Sequence, residues 1–169
     1  MTATVPLGII SAQFRSNARG YLHAASILIQ SKSTDVDLPI YFLLSHALEL
    51  ALKAFLAAKG KEYDELVDIG HDLEWAYRET LALGLTIEHQ YAAPLIARLS
   101  DFHRKFVFRY PVLSDDGHLV LVGSVVRAED VLQFVNQVYR RVEGPVLSAR
   151  LKAASAGTYP VESWYMGEP

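Results

Sequence analysis

Apolar residues recur at every third or fourth position near the start of the chain, which is the period of an amphipathic α-helix. Between Ser11 and Ser31 the polar residues Arg15, Arg19 and His23 fall on a different face from the apolar ones. The apolar positions are Ile10, Phe14, Ala18, Tyr21, Ala25 and Leu28. The pattern predicts a first helix that buries one face and ends at a polar break over residues 32–35.

The next segment, roughly residues 38–59, is apolar on most of its circumference. Pro39 suits the first turn of a helix, where its missing N–H costs nothing. The segment is long enough to suggest a membrane span, but His46, Glu49 and Lys53 lie near its middle and lipid would penalise them heavily. We therefore predict the central helix of a bundle in a cytoplasmic protein that does not contact a membrane.

Three further helices follow a charged connector, residues 61–69, which itself has room for a short helical turn. The predicted helices cover roughly residues 72–83, 87–105 and 128–150. Asp72 suits the N-cap of the first of these, because a carboxylate accepts hydrogen bonds from free backbone N–H groups. The second helix begins or kinks at Pro94, and Pro145 splits the last one.

A short β-hairpin is predicted between the fourth helix and the last one. Its strands would be Val112–Leu113 and Leu119–Val122, joined by a turn over residues 114–117 that ends in glycine. The predicted fold is therefore all-α, an antiparallel bundle of four to five helices with a small β-hairpin insertion before the last helix. Residues 1–152 form this domain, and residues 153–169 form a C-terminal tail whose aromatic residues are expected to pack on their own subunit or on a partner subunit.

Composition and charge exclude several classes of protein. Half of the 169 residues are apolar (51%) and 21% are charged, so the chain can bury a core and is not of disordered composition. The absence of cysteine excludes disulfides, thiolate metal sites and cysteine nucleophiles. A formal net charge of -3 argues against a uniformly basic surface, although a local basic patch remains compatible with it.

The middle of the chain resembles the HEPN superfamily of helical domains over roughly residues 18–111. The resemblance rests on Pro39, on the run from Ser45 to Ala54 with Glu49 and Lys53, and on the glycine at position 60. It also rests on two short segments, Gly70-His71-Asp72-Leu73 and Phe108-Arg109-Tyr110-Pro111. It implies a dimer and one of two functions. Many HEPN domains are metal-independent ribonucleases in toxin–antitoxin, antiviral or RNA-processing systems, and others are binding modules without catalysis.

Active HEPN domains carry an arginine followed, after four to six residues, by a histidine, and the residue after the arginine is usually polar. Arg98 and His103 have this spacing on the predicted fourth helix, but Leu99 departs from the polar residue. The resemblance makes Arg98 and His103 the candidate catalytic pair of a ribonuclease. With ten arginines and six histidines in the chain, about one such spacing is expected by chance.

The polar stripe of the second helix has three interpretations. It is an ordinary ion pair on a solvated face, a buried polar network that sets helix register or a dimer interface, or the lining of a functional cleft that binds a ligand. His71 and Arg109 belong to the same candidate network through the resemblance. We expect no metal or other cofactor, because the order His-x-x-Glu has no second copy in the chain.

A basic patch is the best candidate for binding RNA or phosphate. Its residues would be Arg140, Arg141, Arg150 and Lys152, joined by Arg104, Lys105 and Arg109.

Taken together, the sequence favours a HEPN-like binding and interaction module without catalysis, in a bacterial stress, defence or toxin–antitoxin system. The alternatives are an endoribonuclease using Arg98 and His103, and a bundle that binds a small ligand or nucleotide. The partners expected are a second copy of the chain, an antitoxin or nucleotidyltransferase-like protein, and RNA or a nucleotide.

Overall fold

The computed structural model describes residues 5–31, 37–110, 113–118 and 126–157. Helices account for about three quarters of these residues. They are α1 Leu7–Ser31, α2 Asp37–Ala58, α3 Tyr63–Asp68, α4 Leu73–Ala82, α5 Ala92–Arg104, α6 Ala128–Arg141 and α7 Glu143–Ala154. The prediction of an all-α fold is confirmed.

Helix α2 is the centre of the bundle and packs against each of the six other helices in the described part of the chain. It is also the one described helix that is long and apolar enough to cross a membrane, yet 83% of its most apolar stretch is buried inside the protein. A core helix passes the same test of length and composition. Burial by neighbouring helices therefore explains why α2 is apolar nearly all round.

Helix α1 runs antiparallel to both α2 and α7. Near its start the Ser11 hydroxyl donates to the carbonyl of Ala54, near the end of α2, and further along Tyr21 contacts His46. On its other side α1 approaches α7 so closely that a Cβ added at Gly8 would lie 2.2 Å from the carbonyl oxygen of Ala149. A glycine at position 8 thus permits direct contact between two helix backbones.

Prolines mark the starts of two late helices. Pro94 is the third residue of α5, so this helix begins near the proline rather than kinking at it. Pro145 lies in the first turn of α7, and the predicted last helix is divided into α6 and α7 at Val142. The short turn predicted within residues 61–69 is α3.

The predicted β-hairpin is not supported, because the described residues contain no strand. Its turn is present, since the backbone N–H of Gly117 donates to the carbonyl of Ser114. Half of the first predicted strand, residue 112, and all of the second, residues 119–122, lie outside the described residues. The same holds for most of the predicted tail: α7 continues to Ala154, and residues 158–169 are not described.

Candidate functional site

A buried carboxylate, Glu49, joins three parts of the fold. Its side chain is only 5% exposed. One oxygen, Oε2, accepts from His103 Nε2 of α5 at 2.8 Å and from His71 Nδ1, in the turn before α4, at 2.9 Å. The other oxygen, Oε1, accepts from Lys53 Nζ, one turn along α2, at 2.9 Å. Of the three interpretations of the α2 stripe, these contacts favour a buried polar network.

The segment Gly70-His71-Asp72 is held by a different contact at each residue. The carbonyl of Gly70 accepts from Lys53 Nζ at 2.8 Å, and the imidazole of His71 bonds to Glu49. Asp72 caps α4 by accepting from the backbone N–H of Trp75 at 2.9 Å, as predicted. Each of the three residues therefore has a structural role, and together they attach the start of α4 to the middle of α2.

His46 faces the same carboxylate without bonding to it. Its Nδ1 lies 3.6 Å from Glu49 Oε2, is buried, and has no hydrogen-bond partner among the described residues. The ring is held in place by Tyr21, edge-on at 4.5 Å, and by Phe42, stacked at 5.7 Å between centroids. His46 thus presents a fixed, unpaired nitrogen to the cluster of Glu49, Lys53, His71 and His103, which together with His46 is called the Glu49 cluster below.

Arg109 covers the Glu49 cluster from outside. Its guanidinium lies 4.5 Å from the ring centre of Phe106 and 5.1 Å from that of Phe42. Phe106 in turn contacts His71 edge-on at 5.4 Å. The sequence placed Arg109 in this network through the resemblance, but it did not single out Phe106.

Phe106 has the left-handed backbone conformation, with φ of 58°. It occupies the position after the C-cap of α5 in a Schellman turn. The N–H of Val107 donates to the carbonyl of Phe102, and the N–H of Phe106 donates to that of His103. Glycine is the usual residue there, and an L-residue costs roughly 1–2 kcal/mol. A left-handed phenylalanine cannot be foreseen from sequence, because no glycine marks the turn.

The charges within the Glu49 cluster balance. Burial by itself raises the pKa of Glu49, but the imidazoles of His103 and His46 and the charge of Lys53 outweigh it and hold that pKa well below its ordinary range. Burial lowers the pKa of His103, against the opposing effect of Glu49. At neutral pH we therefore infer an ionised Glu49 beside a charged Lys53, with a neutral imidazole at His103.

Arg98 and His103 are in different environments. His103 is 1% exposed and bonds to Glu49 inside the bundle. Arg98 is exposed, and its guanidinium lies 5.6 Å from the ring centre of Phe102. The candidate catalytic arginine therefore faces outward, while the candidate catalytic histidine is committed to the core.

Donor atoms of His46, Glu49 and His103 all lie within 4.8 Å of one another, a grouping that can hold a metal ion. The sequence argument against a metal relied on the lack of a second His-x-x-Glu unit on another helix. That argument does not hold, because α5 supplies the further imidazole. The spacing along the chain singles out His103 as a partner of Arg98, and no pattern in the sequence links it to Glu49.

The basic residues predicted to form one patch lie in different surroundings. Arg104 bonds to Asp72 at 3.2 Å and Lys105 to Asp101 at 2.7 Å, both at the end of α5. The arginines of α6 and α7 instead line a surface groove with α1. This arginine groove consists of three adjoining hollows of about 580, 240 and 190 Å³. Its lining includes five arginines, two glutamates and several neutral polar residues: Arg15, Arg19, Arg140, Arg141 and Arg150, Glu88 and Glu143, and Gln133, Asn136, Gln137 and Tyr139.

Comparison with known proteins agrees with this architecture. The HEPN domain profile matches residues 12–144, which include the whole Glu49 cluster, most of α1 and all of α6. Comparison with curated proteins gave no match, and comparison with solved structures gave none either. Since the profile spans most of the chain, this protein belongs to the HEPN domain family.

Proposed function

We propose that this protein is a HEPN binding module that does not cleave RNA and that holds a phosphate-bearing ligand, RNA or a nucleotide, in the arginine groove. The position of His103 is the observation that supports the absence of RNA cleavage. General acid–base catalysis requires a group within hydrogen-bond reach of the substrate. His103 is almost fully buried, and its inward nitrogen is occupied by Glu49.

The arginine groove supports the choice of ligand through its unbalanced charge. Arg15 is neutralised by Glu143 at 2.8 Å, whereas Arg141 lies 3.9 Å from the nearest carboxylate, on Glu88. The other three arginines, Arg19, Arg140 and Arg150, form no ion pair with any residue that the structure describes. Guanidinium groups bind phosphate oxygens in a bidentate manner, so uncompensated arginines along a groove favour a polyanion.

The groove also offers neutral groups for hydrogen bonds to sugar or base. Gln133, Asn136 and Gln137 line its widest part, and Tyr139 lies where the two smaller hollows meet. Positive charge together with amide and aromatic side chains is typical of surfaces that bind single-stranded nucleic acid.

Binding of a fluorescent single-stranded RNA, followed by anisotropy, tests the proposal. Three phosphate contacts predict that the logarithm of the affinity falls with the logarithm of salt concentration with a slope of about -2. Replacing Arg19, Arg140 and Arg150 together by alanine should weaken binding at least ~10-fold and flatten that slope. Arg78→Ala, at an exposed arginine of α4, is the control. Equal losses of RNA affinity in the control and the triple variant would refute binding in the arginine groove.

The same RNA, incubated with protein and EDTA, tests the absence of catalysis. Intact RNA is expected. Cleavage by the wild type that disappears in Arg98→Ala would overturn the proposal and favour the metal-independent endoribonuclease acting through Arg98 and His103. Arg98→Ala is a cleaner test than His103→Ala, because Arg98 is exposed whereas His103→Ala also removes a bond to Glu49. Stabilisation by a nucleotide that is lost in Lys53→Ala would instead favour the small-ligand pocket.

The setting of this activity is part of the proposal. We propose that the domain acts as a homodimer in the cytoplasm, beside an antitoxin or nucleotidyltransferase-like partner in a bacterial stress or defence system. The support is membership of the HEPN family. Light scattering coupled to size exclusion will test the dimer directly: a mass near twice 18.8 kDa is expected, and a mass of one chain at micromolar concentration would contradict it.

A further inference from the structure

Two histidines and a glutamate from two different helices converge inside the bundle with the donor types that zinc prefers. His46 and Glu49 project from the same face of α2, and His103 projects from α5. We propose that His46, Glu49 and His103 bind one Zn²⁺ per chain. This inference is independent of the arginine groove, because none of the three residues lines the groove.

The distances are those of a site that closes by small ring movements. Zinc bonds of about 2.0–2.1 Å in a tetrahedral arrangement place neighbouring donor atoms about 3.3 Å apart. Glu49 Oε2 lies 2.8 Å from His103 Nε2 and 3.6 Å from His46 Nδ1. All three donor atoms fall within 4.8 Å of one another. Bringing them to zinc-binding distances requires shortening a separation of at most 4.8 Å by about 1.5 Å.

The unpaired nitrogen of His46 supports the assignment of a metal ion. His46 Nδ1 is buried and aimed at Glu49, yet it has no hydrogen-bond partner among the described residues. Glu49 Oε2 already accepts from His71 and His103, so it has little capacity left for a third donor. A cation coordinated by this nitrogen would satisfy it, because a neutral imidazole offers a lone pair to a metal.

The surrounding residues would act as outer-shell supports. Lys53 bonds to the oxygen of Glu49 that faces away from the imidazoles, and His71 bonds to the oxygen that faces them. Tyr21 and Phe42 fix the plane of the His46 ring. Such contacts orient ligands before the metal arrives. The side chains of His46 and His71 are 22% and 36% exposed, so this edge of the cluster lies nearer the surface than Glu49, which is 5% exposed.

One feature of His103 sets the expected affinity. To bind zinc through Nε2, the ring must carry its proton on Nδ1, which is buried and has no partner among the described residues. Metal-bound histidines normally donate this second N–H. The missing acceptor weakens the site, so we expect a Kd in the micromolar range rather than the nanomolar one.

The test uses protein without a histidine tag, titrated with ZnCl₂ against a chromophoric chelator and analysed for bound metal after desalting. The variant is His46→Ala, since it removes a ligand while Glu49 keeps its bonds to Lys53, His71 and His103. The matched control is His89→Ala. His89 also has a buried Nδ1 without a described partner, but its ring packs on Phe134, 5.0 Å away between centroids, and it does not belong to the group of His46, Glu49 and His103.

We expect one zinc per wild-type chain, a rise in Tm on adding zinc, and at least a ~10-fold loss of affinity in His46→Ala with no change in His89→Ala. Two results would overturn the site: binding below a tenth of an equivalent at 100 μM zinc (about 100 times a micromolar Kd), or equal binding by wild type and His46→Ala. The second result would mean adventitious binding at the surface. In either case RNA binding by the arginine groove would still be measurable, so the two proposals fail separately.

Discussion

Replacing Glu49 by glutamine removes one negative charge from the bundle interior with almost no change in size. The substitution leaves Lys53 without its counterion, and the Lys53 side chain is only 10% exposed. It also replaces a carboxylate that accepts from three donors by an amide with one acceptor oxygen. The new amide N–H groups face His71 and His103, which already donate toward this position.

The cost follows from the burial of the pair. Breaking a buried ion pair by removing one partner costs about 3–5 kcal/mol, because the remaining charge is left uncompensated. Each hydrogen bond to a charged group is worth about 1.5–3 kcal/mol, but bonds that share one acceptor are not additive. Lys53 also keeps its bond to the carbonyl of Gly70. We therefore expect a loss of about 3–5 kcal/mol, a large share of the ~5–15 kcal/mol typical of a domain.

Urea unfolding followed by circular dichroism at pH 7.5 measures this loss, provided that the m-value is unchanged. The control is Glu79→Gln, whose carboxylate bonds to Lys61 at 2.6 Å but lies at the surface, where solvent screens the charge. Its effect should be far smaller. Adding Lys53→Met to Glu49→Gln should restore part of the stability, because it removes the orphaned cation. A loss below about 1 kcal/mol for Glu49→Gln would refute the reasoning.

Three further expectations concern stability. The lowered pKa of His103 keeps its imidazole neutral in the folded protein, while the unfolded chain takes up a proton below about pH 6.5. The free energy of unfolding, measured with urea, should therefore fall as the pH drops from 7.5 to 5.5, with a limiting slope of roughly 1.4 kcal/mol per pH unit. A constant free energy in this range would contradict a neutral buried imidazole. Gly8→Ala should cost about 1–3 kcal/mol, because its Cβ would lie 2.2 Å from the carbonyl oxygen of Ala149. Gly20→Ala, with nothing within 4 Å of its Cβ, should stabilise by about 0.5–1 kcal/mol, and equal signs for the two would refute the close approach. Asp72→Ala should destabilise the protein by about 1–2 kcal/mol through loss of the α4 cap, whereas Asp72→Asn should keep most of the capping stabilisation. Thermal unfolding of both variants measures the difference.

The helices were predictable because their signals are local. A period of three to four residues gave α1, and the nearly uniform apolar surface of α2 identified it as the central helix. Pro94 and Pro145 placed the starts of α5 and α7 within a few residues, because proline is accepted in a first turn and excluded from a helix interior. The close approach of α1 and α7 at Gly8 was not predictable, since it depends on two helices more than a hundred residues apart.

Three of the five residues of the Glu49 cluster were predictable for the same reason. His46, Glu49 and Lys53 share a face of α2 because they are three and four residues apart, so their proximity follows from helix geometry alone. His103 comes from another helix, 54 residues beyond its partner Glu49, and only packing brings it there. The arginine groove was not predictable for the same reason, because the grouping of Arg19 with Arg150 depends on the packing of α1 against α7.

The pairing of Arg98 with His103 shows why a spacing along the chain is weak evidence for a site. Residues five positions apart on one α-helix point about 140° away from each other. If one of them faces the core of a bundle, the other must face solvent, as Arg98 does while His103 bonds to Glu49. The register of α5 against α2 decides which of the two residues faces the core, and the bond between His103 and Glu49 fixes that register.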